Sequence, residues 1–154
     1  MSTTASTRGN SITVRIVVII VALIATFAGI GRPAAAATGS FTGNLTTSAS
    51  TIRAGTPFTA TQTAANLTST QLYPIIVGIR RLGFTVTGSV PPRTGICRIA
   101  GSATCNFLQL APNETQSYTL TLVAATPGTY QIQGWARSTS VPGGSLTTIT
   151  ITVT

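Results

Sequence analysis

Beyond Thr38 the chain carries run after run in which threonine or serine alternates with apolar side chains, and this period of two restricts what it can fold into. The closing run TTITITVT sets Ile149, Ile151 and Val153 against Thr148, Thr150 and Thr152. In QSYTLTLVA, Tyr118, Leu120 and Leu122 alternate with Ser117, Thr119 and Thr121, and in PFTATQTAAN, Phe58, Ala60 and Ala64 alternate with Thr59, Thr61 and Thr63. Successive side chains of a strand point to opposite faces, so strict alternation marks strands with one buried face and one wet face. Threonine suits the wet face because its β-branch fits the pleat while its hydroxyl stays in water. No stretch after Thr38 carries a helical period.

Turn chemistry separates these runs: RAGTP (Arg53 to Pro57), VPPRTG (Val90 to Gly95), APNET (Ala111 to Thr115), TPGT (Thr126 to Thr129) and VPGGS (Val141 to Ser145). Proline presets φ, glycine supplies positive φ, and Asn or Ser bonds the nearby backbone. About seven to nine short strands with turns at this spacing predict an all-β, Ig-like antiparallel β-sandwich over residues 38–154. Two runs differ from the rest. YPIIVGIRRLG (Tyr73 to Gly83) is nearly continuous in apolar residues up to Ile79, as expected of a strand buried on both sides or one whose outer face meets something. TYQIQGWARS (Thr129 to Ser138) puts Trp135, the sole tryptophan, in phase with Gln131 and Gln133 and opposite Ile132 and Ala136; the indole can belong to the surface or, with the phase shifted, to the core.

The supply of chemically active groups is small. All nine basic residues are Arg, Glu114 is the one acid, and there is no His, for a formal net charge of +8. General acid–base catalysis needs groups whose pKa can be brought near the working pH, and no Ser/His/Asp or Cys/His set can be assembled. Zinc and calcium sites need ligands this chain lacks. An enzyme is therefore not expected, nor a metal or other cofactor. Charge is sparse, at 6% of residues, yet 43% are hydrophobic, so the chain should fold rather than remain disordered.

The N-terminus reads as an address. Arg8 and Arg15 precede the apolar run IVVIIVALIATFAGI (Ile16 to Ile30), and GRPAAAATGS follows with small residues of the A-x-A type. These are the three parts of a secretory signal peptide, with cleavage after Ala36 or Ala37. The alternative is a retained hydrophobic helix over residues 1–37, anchoring a single-pass protein with Arg8 and Arg15 on the cytoplasmic side. Either reading puts residues 38–154 outside the cytoplasm, in the extracellular space or on the cell surface.

Cys97 and Cys105 flank RIAGSAT, and two cysteines in an exported chain are most simply one disulfide stapling a local excursion. The segment GICRIAGSATCNFLQLAPNETQSYTLTLVA resembles the second half of the immunoglobulin-like conserved-repeat domains of bacterial surface proteins, catalogued as domain of unknown function number eleven. The elements that carry the likeness are Cys97, Cys105, Leu108, Leu110, Pro112 and the alternating run from Thr115, and AGTPFTATQTAANLTSTQLYPIIVGI is similar to the first half, with Asn66 ending its long strand. Asn113 stands where the family usually has glycine. The resemblance implies an Ig-like sandwich in an extracellular, adhesive or wall-associated setting, and it carries no catalytic residues.

Contact residues are sought accordingly among Trp135, Arg80, Arg81 and Tyr73, with Tyr130 as a further aromatic. The arginines beyond residue 37, Arg53, Arg80, Arg81, Arg93, Arg98 and Arg137, could form a basic patch for acidic polysaccharide, anionic lipid or nucleic acid, but their spread over loops and strands favours dispersed solubilising charge, and no nucleic-acid partner is expected. Glu114 reads as a solvated turn acid, and Asn44, Asn66 and Asn113 open N-x-[ST] sequons. The run Leu146 to Val153 lacks the Lys that blocks strand addition and is the candidate for edge pairing. The leading expectation is a non-enzymatic surface module with structural or adhesive contacts to other envelope proteins or to itself. The alternatives are a membrane-anchored, pilin-like filament or complex subunit, and a module that binds cell-wall polysaccharide.

Overall fold

The structure is a computed structural model that describes residues 40–154; the expected signal peptide or anchor, residues 1–37, lies outside the described residues. The described residues form ten strands: β1 Phe41–Thr47, β2 Thr51–Ile52, β3 Phe58–Asn66, β4 Leu72–Arg81, β5 Thr85–Val90, β6 Ile96–Ile99, β7 Ser102–Leu110, β8 Thr115–Val123, β9 Gly128–Ser138 and β10 Gly144–Val153. They make a four-stranded sheet in the order β1-β3-β8-β5 and a six-stranded sheet in the order β2-β10-β9-β4-β7-β6. Strand pairing is antiparallel except where β2 runs parallel to the end of β10, and Phe41 adds an isolated parallel bridge to Gly143. After β4 the chain crosses to β5 at the edge of the other sheet, returns as the β6–β7 hairpin to pair with β4, and crosses again into β8.

The alternation of the sequence becomes the two faces of each sheet. Along β3 every second residue from Phe58 to Asn66 is buried, and along β8 the buried set is Gln116, Tyr118, Leu120 and Leu122. In the six-stranded sheet Ile75, Val77 and Ile79 of β4 meet Ile132 of β9 and Ile151 of β10 in one core. Removing these aliphatic side chains from water is the main drive to close the sandwich. Phe84 packs edge-on to Phe58 at 5.2 Å between ring centroids and against Tyr130 at 5.1 Å, filling one end.

A polar residue breaks the core's monotony. Gln62 is fully buried and faces Gly134, where a Cβ would collide with its Oε1. The absent side chain of Gly134 makes room for that amide. Gln62 Nε2 donates to Thr63 O at 3.0 Å, while its Oε1 and the neighbouring Ser145 Oγ have no partner among the described residues.

Asn66, also fully buried, is by contrast fully satisfied. Its Nδ2 donates to Thr70 O (2.8 Å), Leu110 O (3.1 Å) and Ala111 O (2.9 Å), and its Oδ1 accepts from Thr68 N (2.9 Å) and Thr68 Oγ1 (2.6 Å). The residue therefore joins the end of β3 to the β7–β8 turn across the sandwich. That turn closes with Glu114 N donating to Ala111 O at 3.1 Å. Pro112 occupies its second position, and Asn113, at φ 59°, its third, a backbone region where glycine or asparagine is favoured.

The one acid belongs to the same turn. Glu114 Oε2 accepts from Ala111 N at 2.7 Å, Oε1 accepts from Gln116 Nε2 at 3.0 Å, and Arg93 Nη1 lies 3.9 Å away. The Ala111 N–H above all, then the Gln116 amide, hold the carboxyl below its ordinary pKa, slight desolvation opposes them, and Arg93 adds a smaller pull downward. Glu114 is thus a turn clamp built from charge-assisted hydrogen bonds.

Candidate contact face

The outer face of the six-stranded sheet collects what the sequence scatters. Strand register places Leu146 of β10, Trp135 of β9, Gly78 of β4, Thr104 of β7 and Arg98 of β6 side by side in one row. One row along lie Thr148, Gln133, Arg80 and Ser102, and one row back lie Gly144, Arg137 and Ile76. Arg80, Arg98 and Arg137 are exposed, and Leu146 is 73% exposed.

Trp135 sits on this face, opposite Ile132 and Ala136, and is half-buried. Its six-membered ring covers Gly78, where an added Cβ would overlap Cζ2, Cε2 and Cη2. Glycine in a strand interior is a mark of such close approach. The long apolar run of β4 is explained by the same contact: Ile75, Val77 and Ile79 face the core, and the outer side of the strand meets the indole at Gly78.

Of the other expected contact residues Arg80 shares this face, while Arg81, Tyr73 and Tyr130 lie elsewhere. Arg80 and Arg81 are neighbours in sequence and so point to opposite sides of β4. Arg81 Nη1 donates to Phe84 O and Nη2 to Ala100 O, both at 3.0 Å, clasping the β4–β5 turn to the β6–β7 hairpin. Tyr73 is 48% exposed at the start of β4, five residues from Gly78 and thus about 16 Å along the strand. Tyr130 is packed on Phe84 and its hydroxyl donates to Thr126 O at 2.9 Å. Cys97 and Cys105 face one another across β6 and β7 and are joined by a disulfide.

Arg98, Arg137, Gln133 and Leu146 are not among the contact residues expected from the sequence. Period-two parity within each strand gives their face, but their convergence depends on the register between β10, β9, β4, β7 and β6. The outer face of the four-stranded sheet is of another kind. Thr46, Thr61 and Thr119 form one row and Asn44, Thr63 and Ser117 the next, with Thr61 Oγ1 and Thr119 Oγ1 hydrogen-bonded at 3.0 Å.

No family model matches the chain, and no curated protein matches it. Among solved structures it is similar to the CARDB domain of a Pyrococcus furiosus protein, solved with di-metal ions, at 12% identity and a TM-score of 0.52, covering 75% of this chain and 93% of that one. It is similar to the cohesin module of a family 33 glycoside hydrolase from Clostridium perfringens at 7% identity and a TM-score of 0.53, covering 75% of this chain and 98% of that one. At these identities the likeness concerns the fold: residues 40–154 form an Ig-like β-sandwich.

Proposed function

We propose that the protein is an exported, non-enzymatic Ig-like module that makes structural or adhesive contacts at the cell envelope. The observation that carries this reading is the open edge of β10. On one side β10 pairs with β9 from Gly144 to Val153; otherwise β2 reaches only Thr152 and Val153, and Phe41 of β1 bridges only to Gly143, just before the strand begins. Thr152 N and Thr154 N donate toward β2, to Ser50 O and Ile52 O at 2.9 Å each. By the same parity Leu146, Thr148 and Thr150 direct their N–H and C=O groups outward, where no strand pairs with them among the described residues. Such an edge accepts a strand from a second chain, and no lysine or proline blocks it. The family resemblance of the Cys97 to Ala124 segment, the apolar N-terminal segment and the poverty of acid–base groups support the same reading.

Proline at position 148 removes an outward N–H without touching the ladder to β9, and edge strands tolerate it. Sedimentation of the full chain should show self-association, or fractionation of its host should find it with the envelope. Thr148→Pro should abolish the association while thermal unfolding stays cooperative. A parent chain that is monomeric at high concentration and absent from the envelope fraction defeats the proposal.

A further inference from the structure

We infer that the outer face of the six-stranded sheet binds an acidic polysaccharide, with Trp135 as stacking platform and Arg80, Arg98 and Arg137 as charge contacts. This site goes beyond the envelope role proposed above and needs neither the β10 edge nor self-association. Charge complementarity argues for an anion. Three exposed guanidinium groups share one face, and the chain's single acid, Glu114, is held at the β7–β8 turn beside Arg93. Uncompensated like charges raise the local concentration of an oppositely charged polymer.

The spacing argues for a sparsely charged one. From strand separations and rise, the three Arg Cα atoms lie about 12 to 16 Å apart. A nucleic-acid strand carries a phosphate about every 3.4 Å and is met by denser rows of cations. A polymer with charges on alternate sugars suits three separated guanidinium groups better. Between the arginines lie uncharged donors and acceptors, Gln133, Ser102 and Thr104, which match sugar hydroxyls. Trp135 supplies the apolar part: seated over Gly78, the ring is positioned before a ligand arrives, which lowers the ordering entropy of binding.

The experiment uses Trp135 itself, since its emission is that of the chain's sole tryptophan. The full chain is titrated with polygalacturonate, dextran, duplex DNA and anionic phospholipid vesicles, and binding is repeated by affinity electrophoresis for variants that lack the indole. Polygalacturonate should shift the emission saturably and dextran should not. Salt should weaken binding with a log–log slope no steeper than about −3, the number of guanidinium groups involved. Combined Arg80→Gln, Arg98→Gln and Arg137→Gln, all at exposed positions, should weaken binding about tenfold or more with an unchanged thermal midpoint. Trp135→Ala should weaken binding about as much, judged by electrophoresis.

No response to polygalacturonate overturns the inference, as does equal binding by the triple arginine variant. Tighter binding to duplex DNA or to vesicles overturns it in favour of that partner. Self-association is read separately by sedimentation, so either proposal can fail while the other stands.

Discussion

The two outer faces of this sandwich are built by the same alternation and carry opposite chemistry. On the four-stranded sheet the outward positions are uncharged, mostly threonine, serine and asparagine with Ala65, Val90 and Val123 among them, and hydroxyls bond hydroxyls across strands, as at Thr61 and Thr119. On the six-stranded sheet they hold three arginines, the tryptophan and Leu146. A solvated strand needs only a polar, β-favouring side chain on its wet side, which threonine supplies without charge. The neutral face therefore meets the requirements of folding and nothing more, while the arginine and tryptophan face exceeds them.

The largest expected difference lies at the two outward glycines. Gly78→Val fills the seat of the indole and should destabilise by about 1–3 kcal/mol, with a red-shifted tryptophan emission. Gly88→Val on the other sheet, where the nearest atom to a new Cβ is Thr121 Oγ1 at 3.3 Å, should change stability by less than about 0.5 kcal/mol. Denaturant unfolding of both variants measures the contrast, and equal costs would erase it.

A new acid should distinguish the faces next. Gln133 lies directly across from Arg80, so Gln133→Glu should stabilise by about 0.2–1 kcal/mol at low salt and lose that gain at high salt. Thr119→Glu, opposite Thr61, should show no salt-sensitive gain. Smaller still is the effect of Thr61→Val, which deletes one half-buried hydroxyl pair and should stay within about 0.5 kcal/mol by thermal or denaturant unfolding.

The smallest effect concerns pH. Neither outer face holds a group that titrates between acid and neutral pH, so both should keep their charge over that range. Glu114, at the rim, has a folded pKa below its ordinary value. Its stabilising contribution is complete above the ordinary carboxylate pKa and disappears as pH falls through the folded value. The thermal midpoint should thus fall only slightly between neutral pH and about pH 2, and Glu114→Gln should remove that side chain's share of the fall. A steep acid transition that survives Glu114→Gln would show that another group carries it.

Much of this was legible from alternation alone. The runs around Phe58, Tyr118 and Ile149 gave strands and their inward faces, because a one-residue slip would reverse every side chain. The short strands were not legible: β2 has two residues and β6 four, too few to display a period. Tryptophan's side was open because Gly134 interrupts the inward series between Ile132 and Ala136. The arginines are dispersed in sequence, and their grouping is a property of register among strands distant in sequence. Arg80 and Arg81 adjoin in sequence, but strand parity separates them.

The sequon at Asn66 has a consequence for how the chain can be produced. In the folded protein every amide hydrogen and the carbonyl of that side chain are engaged and the residue is enclosed, so no sugar can be attached there after folding. A host that transfers glycans to Asn-x-Thr during translocation meets the chain while it is still open. Modification at Asn66 would then trap it unfolded, because a glycan cannot occupy that enclosed position. Asn44 and Asn113, both exposed, impose no such order of events. Expression in such a host divides the chains into folded molecules bare at Asn66 and glycosylated ones that never close, and Asn66 thereby records whether folding preceded glycan transfer.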